Sequence, residues 1–194
     1  MNRLLLALAL LIAPAAPAAT FLITVDTSSI NPTSGIIALD YSTQNAQSSF
    51  AAITGFSGAT LGAPEPALGT VSGDLSTNDL IITATNPGSN YATGANFNTN
   101  AFSFTLSLYG PAIDTPDSIG GSTTFSIQMF TPSFAGPLLT GDGVVGLINI
   151  ANDGTITTDG LGFSTFDAGV PEPSTFLTMA AGVAALVIAR RRRA

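Results

Sequence analysis

The chain has no cysteine, no histidine, no lysine and no tryptophan among its 194 residues. Without Cys there is no disulfide and no thiol nucleophile, and without His there is neither a Ser-His-Asp triad nor a zinc site of the usual kind. Basic residues number five, and they are Arg3 and Arg190, Arg191, Arg192 and Arg193. Between Ala19 and Gly169 no cationic side chain exists, while every acidic residue of the chain except Glu172 lies there. No side-chain salt bridge can form in that body, and direct nucleic-acid binding is excluded because phosphate neutralisation needs Lys or Arg. A glycosidase needs only two carboxylates in a cleft. With Tyr41, Tyr91 and Tyr109 as the only tyrosines, however, sugar-stacking platforms are sparse, and the expectation is a protein that is not an enzyme. No cofactor is expected.

What is present is concentrated at the two ends. Met1-Asn2-Arg3 is a short positive region, Leu4 to Ile12 is an unbroken apolar run, and Ala13 to Ala19 is small residues and prolines. Together these make a secretory signal peptide over residues 1–18. Ala16-Pro17-Ala18 fits the cleavage pattern, with the cut after Ala18. An uncleaved anchor is the alternative, but nine apolar residues are too few to span a bilayer well.

At the other end, residues 170–174 read Val-Pro-Glu-Pro-Ser, residues 175–189 are an uncharged, mostly apolar run, and residues 190–193 are four arginines. At about 1.5 Å per residue the run makes a helix of roughly 22 Å against a hydrocarbon core of about 30 Å, a short transmembrane span. The arginines resist crossing and orient the C-terminus towards the cytoplasm. This order of Pro171-Glu172-Pro173, span and basic cluster resembles the PEP-CTERM sorting signal of secreted proteins in many Gram-negative bacteria. The resemblance implies an exosortase-type processing enzyme as partner, with the inner membrane as a transient one. Glu172 between two prolines sits in a stiff, extended segment suited to recognition.

The body, residues 19–169, is expected to be all-β. Charged residues are 9% of the chain, against about 25% in ordinary globular proteins, and Ser, Thr, Asn and Gly take their place. Phe102 to Tyr109 and Thr124 to Met129 alternate apolar and polar at period two, the mark of half-buried strands. Phe21 to Val25, Ile36 to Tyr41, Leu80 to Thr85 and Val144 to Ile150 read the same way, and a weaker pair flanks Asp159-Gly160. Eight or more strands are expected. Asp142-Gly143, Asn152-Asp153-Gly154 and Asp159-Gly160 are expected to close hairpins. Ser57 to Ser72, with a second Pro-Glu-Pro at 64–66, reads as a mobile loop. The prediction is a single antiparallel β-sandwich or jelly-roll-like domain, flanked by an N-terminal signal helix and a C-terminal transmembrane helix.

Val25 to Ser29, Thr33 to Tyr41, Thr70 to Leu75, Phe102 to Leu108 and Asn152 to Thr155 look similar to segments of a secreted domain that recurs among PEP-CTERM proteins. That similarity implies one β-domain and no particular activity. Asp142, Asn152, Asp153 and Asp159 are candidate oxygen ligands for calcium, but their spacing matches no EF-hand loop, and turn chemistry explains them more simply. No metal site is assigned. The sequence therefore reads as an exported surface or extracellular-matrix protein associated with exopolysaccharide. The alternatives are a carbohydrate- or calcium-dependent adhesin and a carboxylate-pair glycosidase.

Overall fold

Alternation sends Phe21, Ile23 and Val25 of β1 (Ala19–Asp26) to one side and Thr20, Leu22 and Thr24 to the other, and the same rule builds eleven further strands. The computed structural model describes residues 19–169. In chain order these strands are β2 (Thr33–Thr43), β3 (Phe50–Ser57), β4 (Thr60–Pro64), β5 (Thr70–Ser72), β6 (Leu80–Thr83) and β7 (Ser89–Phe97). They continue with β8 (Ala101–Tyr109), β9 (Thr123–Phe130), β10 (Val144–Ile150), β11 (Ile156–Asp159) and β12 (Ser164–Gly169). Helix among the described residues is confined to one α-helical turn, α1 (Pro111–Asp114), and three short 3-10 turns, Ser28–Ile30, Leu75–Thr77 and Pro132–Phe134.

The strands form two six-stranded sheets, ordered β12-β1-β8-β3-β6-β5 and β11-β10-β9-β2-β7-β4, with every named strand pair antiparallel. Within them, β1 pairs β8, β2 pairs β7 and β3 pairs β6. That nesting is what results when one long hairpin is rolled into two sheets, as in a jelly roll. β5 flanks β6 in the first sheet, β9 to β11 extend the second sheet beyond β2, and β12 extends the first beyond β1.

One hydrophobic core lies between the sheets. Ile23, Ile53, Phe104 and Leu106 from the first meet Ile37, Leu39, Tyr41, Phe97, Phe125 and Ile127 from the second, all with almost no exposure. Phe97 and Phe102 stack across the sheets with ring centres 6.2 Å apart. Each such side chain contributes about 1.5–3 kcal/mol of burial, and this core stands in a domain with neither a disulfide nor an ion pair.

The six stronger strand expectations coincide with β1, β2, β6, β8, β9 and β10, and β11 and β12 flank the Asp159-Gly160 turn. Three readings are corrected. Asp142-Gly143 does not close a tight hairpin, because residues 131–143 separate β9 from β10 and this pair only ends that connection, with the Gly143 carbonyl accepting from the Met129 amide at 2.8 Å. Ser57 to Ser72 is not one loop, because it carries β4 and β5. Leu61 packs on the core and lies opposite Ala95, and Val71 lies opposite Ile82. Pro64 is tolerated because β4 is an edge strand, where a missing N–H costs little. Asp159-Gly160 does not close a hairpin, because β11 belongs to the second sheet and β12 to the first. The Gly160 carbonyl instead accepts from the amides of Phe163 and Ser164, at 2.8 and 2.9 Å, as the chain crosses between sheets. Asn152-Asp153-Gly154 does close the β10–β11 hairpin. The signal and transmembrane helices expected from the sequence lie outside the described residues.

Candidate functional site

The carboxylates of the body sort by what they hold. Asp26 accepts from the amide of Ser28 at 2.8 Å, Asp74 from Ser76 at 2.7 Å and Asp117 from Ile119 at 2.9 Å. Asp142 accepts from Val144 at 3.1 Å, Asp153 from Thr155 at 2.9 Å and Asp159 from Leu161 at 2.9 Å. Each of these is an Asp bonded to the amide two residues on, a turn that lets the chain reverse without leaving an orphan donor. Asp79 accepts from the Asp74 amide and Asp114 from the Gly110 amide. Hydrogen bonds of this kind hold several of these groups below the ordinary value of 3.8. Asp26 is lowered by Ser28, Asp74 by Ser76, Asp79 by Thr77 and then the Asp74 amide, Asp142 by the Val144 amide and then Thr140, and Asp153 by Thr155.

These roles account for the calcium candidates. Asp142, Asp153 and Asp159 each serve their own turn, and the Asn152 amide donates to the carbonyls of Ser118 and Gly120 at 3.2 and 3.4 Å. Among the described residues no three His, Cys, Asp or Glu side chains converge on a common point.

Asp40 behaves differently. It lies on β2 between Leu39 and Tyr41, which point into the core, so its carboxylate faces outward from the second sheet. Burial alone pushes its pKa up, with neither a hydrogen bond nor a neighbouring charge contributing. It is half-buried partly because Gly88 lies against it, so close that a Cβ at position 88 would sit 2.9 Å from Asp40 Oδ2.

Strand register places its neighbours. Asp40 lies opposite Asn90 of β7 and Ser126 of β9, and Ser126 lies opposite Leu147 of β10. The next outward row towards the Thr43 end is Ser42, Thr124 and Asn149, with the Thr124 hydroxyl donating to Asn149 Oδ1 at 3.0 Å. Towards the other end, Gln128 lies opposite Ala38 and donates to the Ser126 hydroxyl at 2.9 Å. Beyond it Phe130 lies opposite Ile36, and Phe134 tilts over Phe130 with ring centres 5.4 Å apart. Polar groups therefore run from Gln128 past Asp40 to Ser42 and Thr124, while Ile36, Ala38 and Ala92 on the same face form a small buried apolar cluster under Phe130, and Ser126 is itself buried. Ser42 and Thr124 also line an open depression of about 150 Å³ with Thr85, Asn86, Pro87 and Ser122.

A larger depression, about 370 Å³, lies where β1, β8 and β12 meet, lined by Thr24, Asp26, Ala101, Phe163 and Ser164. Its only ionisable side chain is Asp26, which is occupied with Ser28. Of the tyrosines, Tyr41 and Tyr91 are buried, and the half-buried Tyr109 is stacked on Phe50 with ring centres 5.2 Å apart.

The sequence-derived sorting residues Pro171, Glu172, Pro173 and Arg190 to Arg193, and the cleavage residues Ala16 and Ala18, lie outside the described residues. Among the described residues no helix is long and apolar enough to cross a membrane. Sequence reasoning did not single out Asp40. The usable signal was its position in the alternating run Ile37-Ala38-Leu39-Asp40-Tyr41, where it falls at an outward strand position and no turn follows it.

Compared with known families, residues 169–193 match the PEP-CTERM protein-sorting motif. The chain carries that motif, which implies export, sorting to the cell surface and processing by an exosortase-type enzyme. No curated protein and no solved structure matches the chain.

Proposed function

We propose that this chain is a non-enzymatic surface or extracellular-matrix protein, delivered by an exosortase-type system and associated with exopolysaccharide once outside. The observation that carries this reading is the sorting motif at residues 169–193, which begins at the last residue of β12. On this reading residues 1–18 direct export, residues 175–189 hold the chain briefly in the inner membrane, and Arg190 to Arg193 keep its C-terminus cytoplasmic. The enzyme recognises Pro171, Glu172 and Pro173, and the freed β-domain passes to the surface.

The economy of the body supports a structural role. Eight carboxylates stabilise turns. A glycosidase would need a carboxyl group of raised pKa beside an ionised partner. Asp40 is raised with no charged neighbour contributing, and Asp74 and Asp79, which do interact, are both lowered. An adhesin that grips carbohydrate is the second reading, favoured by the polar ladder around Asp40.

The matrix role is tested by fractionating an exosortase-bearing host into cells, sheared matrix and medium. Processed protein should travel with the exopolysaccharide and be released when that polymer is digested. Protein recovered wholly in the medium, indifferent to the polymer, would contradict it.

A further inference from the structure

We infer that the outward face of the second sheet, from Phe134 across Gln128 and Asp40 to Ser42 and Thr124, binds a neutral polysaccharide chain laid along the strands. The inference names the ligand class and the surface for the proposed exopolysaccharide association, and it rests on that reading. Three observations carry it, and charge decides between ligands.

The first is the single carboxylate that the sheet face does not use for itself. Asp40 is half-buried without a hydrogen bond, in a body where most other carboxylates cap turns. A carboxylate is an acceptor only, and its strongest uncharged partners are O–H donors. Adjacent sugar hydroxyls supply such donors without bringing charge.

The second is Phe134. It is 48% exposed, and both it and Ser133 hold positive φ, 55° and 59°, a region that bulky L residues enter rarely. Amide donors from Phe134 to Thr131 at 3.1 Å and from Thr131 to Gly136 at 2.8 Å fix that turn. The phenyl ring is held at the surface beside Phe130 rather than folded into the core. Residues with strained backbone cluster at active sites and ligand clamps, and an exposed phenyl ring next to polar groups offers a surface for the apolar face of a sugar.

The third is extent. From Phe130 to Thr124 the strand covers about 20 Å at about 3.3 Å per residue, enough for several sugar units, and the depression beside Ser42 continues the surface.

Charge sets the polymer class. No cationic side chain exists from Ala19 to Gly169 to meet an anionic polysaccharide, and Asp40 would repel one. A bridging divalent ion would need further ligands, and no cluster of three forms among the described residues.

The test is affinity electrophoresis of the full exported chain, in mild detergent where its tail is retained. Native gels would contain dextran, galactomannan or hydroxyethylcellulose as neutral probes and alginate as the anionic one. The native chain should be retarded in at least one neutral gel and run freely in alginate. Phe134→Ala and Asp40→Ala should each weaken retardation about tenfold, while Ser107→Ala on the opposite face should run as native. Thermal melting of each variant checks that it folds. Free migration in every neutral gel, or retardation that neither Phe134→Ala nor Asp40→Ala reduces, would overturn the inference. Protein that travels with the matrix yet is never retarded would overturn this face and leave the matrix reading standing. Retarded protein recovered only from the medium would do the reverse.

Discussion

Thr20 and Gly169 face each other across the antiparallel ladder of β1 and β12. The chain therefore enters and leaves the β-domain at one end, and the sorting motif begins on the very residue where the last strand stops. In the sequence only Val170 separates the end of that strand from Pro171-Glu172-Pro173.

The strand next to that segment is weakly held at one edge of its sheet. β12 is an edge strand with one neighbour, and only Ser164 and Phe166 are even half-buried. Its amides should exchange hydrogen well before those of β8, which sits between β1 and β3. Equal protection in β8 and β12 would contradict this. Phe166→Ala should cost about 1–3 kcal/mol, less than a fully buried phenylalanine, read as a fall in the midpoint of denaturant unfolding.

Acid should unfold the domain in a defined window. Asp26, Asp74, Asp79, Asp142 and Asp153 are lowered from 3.8 by turn hydrogen bonds. A depressed folded value stabilises above the unfolded pKa and loses that contribution as pH falls through the folded value. The melting temperature should be flat from about pH 8 to about pH 5 and drop below about pH 4. Asp40 has the opposite sign, because burial raises it and its ionised form costs stability at neutral pH. Asp40→Asn should melt higher than the native chain at pH 7 and lose that advantage below about pH 4. A lower melting point for Asp40→Asn at pH 7 would show that the carboxylate has a partner.

Tyr41 sets edge-on to Phe125 at 5.8 Å, and its buried hydroxyl has no hydrogen-bond partner. Ser49 lies beside it and partly offsets the upward push of burial on the Tyr41 pKa, but the two hydroxyls do not meet in hydrogen-bond geometry. Removing an unsatisfied buried hydroxyl is neutral or favourable. Tyr41→Phe should leave the melting temperature unchanged or raised, and a loss of about 1–3 kcal/mol would show a bond that the geometry lacks.

Gly160 turns the chain from the second sheet to the first under the backbone carbonyl of Ser164, which a Cβ at that position would strike. Backbone cannot swing aside as a flexible side chain can. Gly160→Ala should destabilise by about 1–3 kcal/mol, while Gly162→Ala, with open space around its Cβ position but a φ of 81°, should show only the smaller cost of the backbone conformation. Comparable losses at both would mean that backbone conformation, not collision, sets the cost at this crossing.

Strands were legible where large apolar residues alternate with Ser and Thr, as in Phe102 to Leu108. They were not where the inward positions are small. β7 points Tyr91, Thr93, Ala95 and Phe97 inward, and Ala95 and the neighbouring Gly94 dilute the pattern. β3 contributes only Ala51 and Ile53 as fully buried residues before a bulge. β4 and β5 hide between prolines and glycines because they are short and lie on edges. The turn at Asp159-Gly160 could be read, but not that it changes sheets, since the choice of partner strand depends on residues more than a hundred positions away, such as Thr24 opposite Thr165. Asp40 was missed for a different reason. As a residue type it matches the turn-capping aspartates, and only its outward position in an alternating run with no turn after it separates it from them.

Sorting is the central claim, and the mass and compartment of the mature product test it most directly. The native chain and a variant with Pro171→Ala, Glu172→Ala and Pro173→Ala would be expressed side by side in a host with an exosortase. The native product should lack residues 175–194 and appear at the surface or in the medium, while the variant stays in the membrane at higher mass. If both keep the arginine tail and stay in the membrane, the tail is a permanent anchor and the account of sorting is wrong.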